Sequence, residues 1–385
     1  MKIVVATDSF KGSLSSAKAG EAIKNGILKE TPDAEVKVFP VSDGGEGIFE
    51  ALKDHFKTDI IEIEVTGPQF EKVRACYGFN PGKKLAIIEM AAAAGLPLIK
   101  GKKDPKTATT YGVGEMIRDA LNRGAEEFII GIGGSATNDG GIGMLSALGF
   151  IFSDADGDCA APNAMGLKDL ASIDLSGAEP GLKNCHFTVA CDVDIPLCGD
   201  RGCSKIFAPQ KGASPEDIKE MDGWLSKYAK LTQKIIPGSD MDLPGSGAAG
   251  GMGFALRSYL GADLKPGIDI VISCLGLDEE IKDADYVVTG EGRIDSQTLT
   301  GKVISGIVRT ARKYGKPVIA FCGSVADDVC IEGIDRICPV TPKDMPLEEA
   351  LRPEIAEANL ELAASEVLSH GDGVSGSFCP NKMNH

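Results

Sequence analysis

The chain has 385 residues, 43% of them hydrophobic, and sets 40 Lys and Arg against 56 Asp and Glu for a formal net charge of −16. The length predicts more than one domain with ample core material. The acidic balance argues against nucleic acid or an anionic membrane as partner, because both require a basic face, so an anionic substrate would need a site with its own positive charge or a metal ion.

The opening MKIVVATDSF runs straight into a strand-like segment without a signal-peptide pattern. No apolar stretch approaches the roughly 20 residues of a membrane helix, and a cytoplasmic protein is expected. Eleven cysteines without C-x₂-C spacing predict reduced thiols rather than a disulfide framework or a zinc site.

In chain order, Ile3 to Ala6 is a short apolar run closing on Thr7-Asp8-Ser9. Ala19, Ile23 and Ile27 follow at four-residue spacing, with Ser13, Ser15 and Ser16 as candidate caps, which makes a β-loop-α unit. AEVKVFPV is a second strand that ends in SDGGEG at 42–47 and enters another helical pattern. Between about 60 and 90, IIEIEV, KVRACYGF and LAIIEM are short, partly alternating strands between Gly/Pro turns, which predicts an antiparallel or mixed sheet. A helix over about 109–123 leads to a strand at 128–130 and to the loop GIGGSATNDGGIGM at 131–144. HFTVAC before Asp192 and SKIFAP before Gln210-Lys211 read as strands. A helix over about 214–235 precedes PGSGAAGGMG and the apolar spacing of GIDIVISCLGL, and ADYVVTGEG, KPVIAFCGS and IDRICPV restore strand-then-helix units.

These repeats predict an α/β fold of two domains. A Rossmann-like, doubly wound parallel-sheet domain comes from both termini (1–65 and 280–370), a mixed α/β domain is inserted at 66–279 with a cleft between the two, and 371–385 form a peripheral tail. Ligands of such sheets bind outside the carboxyl ends of the strands.

Five strand-end clusters stand there: Asp8-Ser9 with Lys11; Asp43, Gly44, Gly45 and Glu46; the 131–144 loop with Gly133, Gly134, Ser135, Thr137, Asn138 and Asp139; Cys191-Asp192; and Glu291, Arg293 and Asp295. Glycines let a ligand reach bare amides. Carboxylates serve as general base or Mg²⁺ ligand, and Lys11 and Arg293 offer the positive charge a transferring phosphoryl group requires. Structural roles compete: Asp8 and Asp43 as helix caps, Lys11 as a solvated loop lysine, and Arg293 with Asp295 as an ion pair. Asp192 is followed by VDIPLCG, which begins no helix, so function is favoured there. No Walker A occurs, since TGKV at 300–303 lacks both the earlier glycine and the Ser or Thr. Gly245 to Gly250 spell G-x-G-x-x-G, but without a buried strand before them.

The blocks TDSFKGSLS, VSDGGEG, EMAAAAGL, TTYGVGE, GIGGSATNDGG, ACDVDIPLCG, APQKGAS, GSGAAGGMG, LKPGIDIV and VTGEGRIDSQTLTGK resemble, in order, the signature blocks of the bacterial glycerate kinases of the first type. The resemblance runs from Met1 to about Leu368. It implies phosphorylation of D-glycerate to 2- or 3-phosphoglycerate with ATP and Mg²⁺. The resulting assignment makes Asp192 the base or positioning group, Asp8 or Asp43 the Mg²⁺ ligand, and Lys11 and Arg293 the charge neutralisers. Ser9, Gly44, Gly45, the 131–144 loop, Glu291 and Asp295 become substrate or nucleotide contacts, with an anion expected at the bare loop. Four positions depart from the family pattern: Thr7 replaces a common proline, Ser42 an alanine, Ala94 a serine and Val113 a threonine. The last two each lose a hydroxyl that could face the cleft. A nicotinamide-dependent dehydrogenase using glycines 245–250 and a non-catalytic small-acid binding protein are the alternatives, and assembly into a homo-oligomer is left open.

Overall fold

The computed structural model describes residues 1–42, 47–295, 303–326 and 331–369. Asp43, Gly44, Gly45, Glu46, most of the TGKV segment and the 371–385 tail lie outside the described residues. Among those described, the strands in chain order are β1 (Lys2–Thr7), β2 (Glu35–Pro40), β3 (Asp59–Thr66), β4 (Lys72–Asn80), β5 (Leu85–Glu89), β6 (Glu127–Gly131), β7 (Ile151–Ser153), β8 (Ser172–Asp174), β9 (His186–Ala190), β10 (Asp263–Lys265), β11 (Tyr286–Ile294), β12 (Val318–Val325) and β13 (Arg336–Pro339). The chain divides into two units: Met1–Asp43, Glu50–His55 and Ile268–His385 form the first, and Gly44–Phe49 with Phe56–Gly267 form the second.

The first unit carries the sheet β13-β12-β11-β1-β2, in which every pair is parallel. Counted within the unit, this is the 2-1-3-4-5 order of flavodoxin-like doubly wound sheets, a relative of the Rossmann arrangement. β1 is buried along almost its whole length, as a strand covered on both faces must be, and its sequence is accordingly a continuous apolar run. The helix Ser16–Glu30 starts at Ser15, whose Oγ accepts the amide of Lys18 at 3.4 Å, and buries Ala19, Ile23 and Ile27. A Cβ on Gly26 would lie 2.2 Å from the carbonyl oxygen of Glu361. That glycine therefore permits the close approach of the helix Pro353–Ser369. Ile3, Val5, Ile23, Ile319, Phe321 and Leu360 centre this core. The order reverses between β1 and β11, because β1 leads to β2 on one side while β11 leads to β12 and β13 on the other.

The second unit holds the sheet β10-β9-β6-β5-β4-β3. β3, β4 and β5 pair antiparallel and the rest pair parallel, the mixed sheet expected from the alternating texture there. Its core gathers Tyr77, Phe128, Met144, Tyr228 and Phe254.

Two readings need correction. SKIFAP is not a strand: Cys203–Phe207 form a short helix and Pro209–Lys211 a 3₁₀ turn. A short apolar run fits either conformation, and Cys203 and Ser204 satisfy burial from a helix as well as from a strand. Ala94 and Val113 are fully buried in the second unit's core. Their side chains face protein, so the lost hydroxyls do not open toward a ligand.

Candidate active site

The carboxyl edge of the first unit's sheet opens into a cavity of about 650 Å³, within the roughly 300–1,000 Å³ of small-molecule sites. It lies where the strand order reverses, the position at which doubly wound sheets hold ligands. One side consists of strand ends. Asp8 and Lys11 follow β1, while Glu291, Arg293 and Asp295 close β11. The parallel register pairs Thr7 with Gly290, and the Asp8 amide donates to the Gly290 carbonyl at 2.9 Å, so Asp8 and Glu291 leave adjacent strands side by side. A Cβ on Gly292 would meet the Lys11 nitrogen at 3.4 Å, which shows how closely the two loops run. The sequence-predicted residues Asp8, Ser9, Lys11, Glu291, Arg293 and Asp295 thus share one cavity.

Their settings differ. Asp8 and Glu291 are each only 9% exposed, and Asp8 Oδ1 accepts the Ser9 amide at 2.6 Å. The cap of the following helix is Ser15, so Asp8 is not needed for that task. Lys11 is exposed, and Arg293 reaches Asp295 only at 3.8 Å with most of its side chain in solvent. An exposed pair at that distance contributes little to stability. Two hard carboxylates side by side suit Mg²⁺, which takes one or two protein carboxylates and completes its shell with water and phosphate. Among the described residues no three carboxylate, thiol or imidazole groups gather into a fuller metal cage.

The second unit presents the glycine-rich loop at the end of β6, and here the geometry redistributes the expected roles. Thr137, Asn138 and Asp139 are fully buried. Asp139 accepts from the Thr110 amide at 2.9 Å, the Thr110 hydroxyl at 2.7 Å, and the amides of Gly141 at 3.0 Å and Gly143 at 3.4 Å. Burial pushes this carboxyl above its usual range, and the donated hydrogen bonds pull it back. Asn138 Nδ2 donates to Ser204 Oγ at 2.8 Å. Thr137 Oγ1 and Asn138 Oδ1 have no partner among the described residues, an arrangement suited to enclosed water.

Gly140 and Gly141 are bare because protein comes close, not because a ligand does. A Cβ would lie 2.9 Å from Leu225 Cδ2 at the first and 2.5 Å from the Ala255 methyl at the second, and both have positive φ. Within the loop only Gly133 and Gly134 retain partial or full exposure. Thr137, Asn138 and Asp139 are thus closed off by protein in this structure, while Gly133 and Gly134 are the loop residues left accessible. Behind the pair lies a residue the sequence reading did not select. Lys211, fully buried, donates from Nζ to Ser135 Oγ and to the Thr137 carbonyl, each at 2.7 Å. Desolvation brings its pKa down to about 8. Nothing local in APQKGAS marks this lysine as buried.

The G-x-G-x-x-G segment packs against this same loop. The Gly250 carbonyl accepts the Gly140 amide at 2.9 Å, and Ala249, Gly250 and Gly251 all have positive φ. No strand precedes it, so the setting required of a dinucleotide loop is missing. Asp192 is exposed at the end of β9, and its Oδ1 accepts the Gly267 amide at 3.0 Å, at the start of the helix Gly267–Leu275. It does meet a helix N-terminus, but one supplied 75 residues later rather than by the chain that follows it. Glu89 Oε1 does similar work, accepting the amides of Gly47 and Phe49 at the start of the helix Ile48–Phe56.

A parallel doubly wound sheet with a charged cavity at its switch point defines an α/β protein that holds a small, charged ligand. Residues 3–370 match the model of the glycerate kinase family. The chain belongs to that family, and is an enzyme of the phosphotransferase class. It is 48% identical over 372 residues to the glycerate 2-kinase of Escherichia coli K12, covering 95% of this chain and 98% of that one. It is 46% identical over 373 residues to the glycerate kinase of Bacillus subtilis 168, with 96% and 97% covered. A crystal structure assigned to glycerate kinase 2 of Salmonella typhimurium LT2 superposes with a TM-score of 0.87 at 47% identity, covering 95% of this chain and 97% of the other. No helix among the described residues is long and apolar enough to cross a membrane.

Proposed function

We propose that the protein transfers the γ-phosphoryl group of ATP to a hydroxyl of D-glycerate. The observation that carries this reading is the cavity at the β1/β11 switch point, where two buried carboxylates and two exposed cations come from adjacent strand ends. Phosphoryl transfer depends on positioning and charge neutralisation rather than on covalent chemistry by the protein. Lys11 and Arg293 offset charge on the transferring group, and Asp8 with Glu291 are the carboxylates suited to Mg²⁺. Asp43 remains an expected additional ligand. Those carboxylates would hold the ion, which would supply neutralisation of the phosphate charge. Asp192 orients the acceptor hydroxyl and takes its proton. Within the second unit, the accessible pair Gly133 and Gly134, in the loop that Lys211 holds through Ser135 and Thr137, is the proposed carboxylate-binding element.

The name of the Escherichia coli relative, glycerate 2-kinase, supports the 2-hydroxyl as acceptor. Turnover with ATP, Mg²⁺ and D-glycerate, followed by phosphorus NMR, tests both parts. A 2-phosphoglycerate resonance is expected. A 3-phosphoglycerate resonance would move the acceptor, and no phosphorylated product would remove the proposal.

A further inference from the structure

Glycerate carries an oxygen on each of its three carbons and has no apolar face. The cavity of the first unit does have one. The same cavity is lined by Val340 and Met345, which follow β13, and by Leu347, Ala350 and Leu351 from the short helix Leu347–Ala350 and its end. Leu347 is 72% exposed and Leu351 37%. One exposed leucine is ordinary on a protein surface. Two on the lip of a cavity whose other wall is charged form an amphipathic receptacle, larger than a three-carbon acid fills.

Two polar groups in this wall are underused. Asn359 lines the cavity, and its Nδ2 is directed at the Met345 thioether at 3.7 Å, a weak acceptor. A carboxamide offers the donor and acceptor pair that matches adenine N7 and the 6-amino group. Ser13 also lines the cavity, and its Oγ has no partner among the described residues.

We propose that this wall is the nucleoside subsite of the phosphoryl donor. Adenine lies against Val340, Met345, Leu347 and Leu351, Asn359 reads its edge, and the polyphosphate extends toward Lys11 and Arg293. Met345 suits the task because its polarisable sulfur packs well against an aromatic ring. A nucleotide is apolar at one end and highly charged at the other, and the cavity has that same division. The assignment rests on the kinase reading above and adds to it the place of the base.

Calorimetric titration with ADP, and separately with inorganic tripolyphosphate, tests it on the wild-type enzyme, Leu347→Gln and Asn359→Leu. Leu347 is exposed, so its replacement leaves the fold intact. The expected result is an ADP affinity lowered about tenfold in each variant with tripolyphosphate affinity unchanged, since each contact is made to the base alone. Saturation-transfer NMR supplies a readout that needs no variant: irradiating protein methyl groups should transfer strongly to adenine H2 and H8 of bound ADP. Unchanged ADP affinity in both variants, adenine protons that receive no transfer from bound ADP, or no ADP binding at all would overturn the subsite. ATP turnover with D-glycerate then decides the kinase reading separately. Activity in spite of a failed subsite test keeps the reaction and moves the base elsewhere, whereas ADP bound at this wall without turnover keeps the subsite and rejects the reaction.

Discussion

The two glycine- and acid-rich strand ends that look alike in the sequence have opposite fates in the structure. In the first unit, Asp8, Lys11, Glu291 and Arg293 line an open cavity. In the second, Asp139, Asn138 and Lys211 are sealed inside and hold the loop in shape. A glycine-rich loop therefore has two physical origins, ligand approach and protein approach. The deciding observation is what a Cβ would strike: at Gly140 and Gly141 it strikes side chains of the second unit's own core.

Variants that act on one region and spare the other sharpen the contrast. The largest effect is expected from Lys11→Met combined with Arg293→Met. Loss of both cations should lower kcat/KM for ATP by about a thousandfold, or about 4 kcal/mol, with the melting temperature unchanged because both side chains are exposed. Steady-state kinetics and a thermal melt on the same sample would check this. In the second unit the dominant loss should be stability. Gly250→Ala places a methyl 2.2 Å from the Thr137 carbonyl at a φ of +67°, and denaturant unfolding should show a cost of about 3 kcal/mol.

Lys211 tests the sealed loop through pH. Its folded pKa of about 8 lies below the roughly 10.4 of an unfolded lysine, so in this interval the unfolded chain binds the extra proton. Relative to Lys211→Met, the wild-type protein should gain stability as pH rises from about 8 to about 10.4, by up to about 1.4 kcal/mol per pH unit. Below pH 8 the two curves should run parallel, and curves parallel throughout would show that Lys211 is not buried as a charge. Over the same rise, KM for D-glycerate should increase as the cation behind Gly133 and Gly134 is lost. Val113→Thr should have the smallest effect, a stability loss of about 1 kcal/mol from a buried hydroxyl with KM values unchanged, because Val113 lies in the core.

How far the sequence could be read follows from these same residues. β1, β11 and β12 were legible because strands buried along most of their length are written as apolar runs, and the ends of β1 and β11 located Asp8, Lys11, Glu291 and Arg293; the partly exposed edge strands β2 and β13 were legible from short runs between turn residues. The sealing of the 137–141 segment was not legible. It depends on Leu225, Tyr228 and Ala255, distant residues brought in by the helices Pro215–Ile235 and Ala248–Leu260. Lys211 was missed for a related reason, since nothing local distinguishes a buried lysine from a solvated one. The apolar cavity wall after β13 was read only as one more strand-and-helix unit, because local periodicity says which residues are apolar but not that some face a cavity.

The most direct test of this division compares Asp8→Asn with Asp139→Asn, each measured for both turnover and unfolding free energy. The open-cavity assignment predicts that Asp8→Asn lowers kcat about a hundredfold or more and changes stability by less than about 1 kcal/mol. The sealed-loop assignment predicts that Asp139→Asn costs at least about 2 kcal/mol of stability through its charge-assisted hydrogen bonds. An active Asp8→Asn beside a fully stable but inactive Asp139→Asn would reverse the roles of the two strand ends and contradict the account.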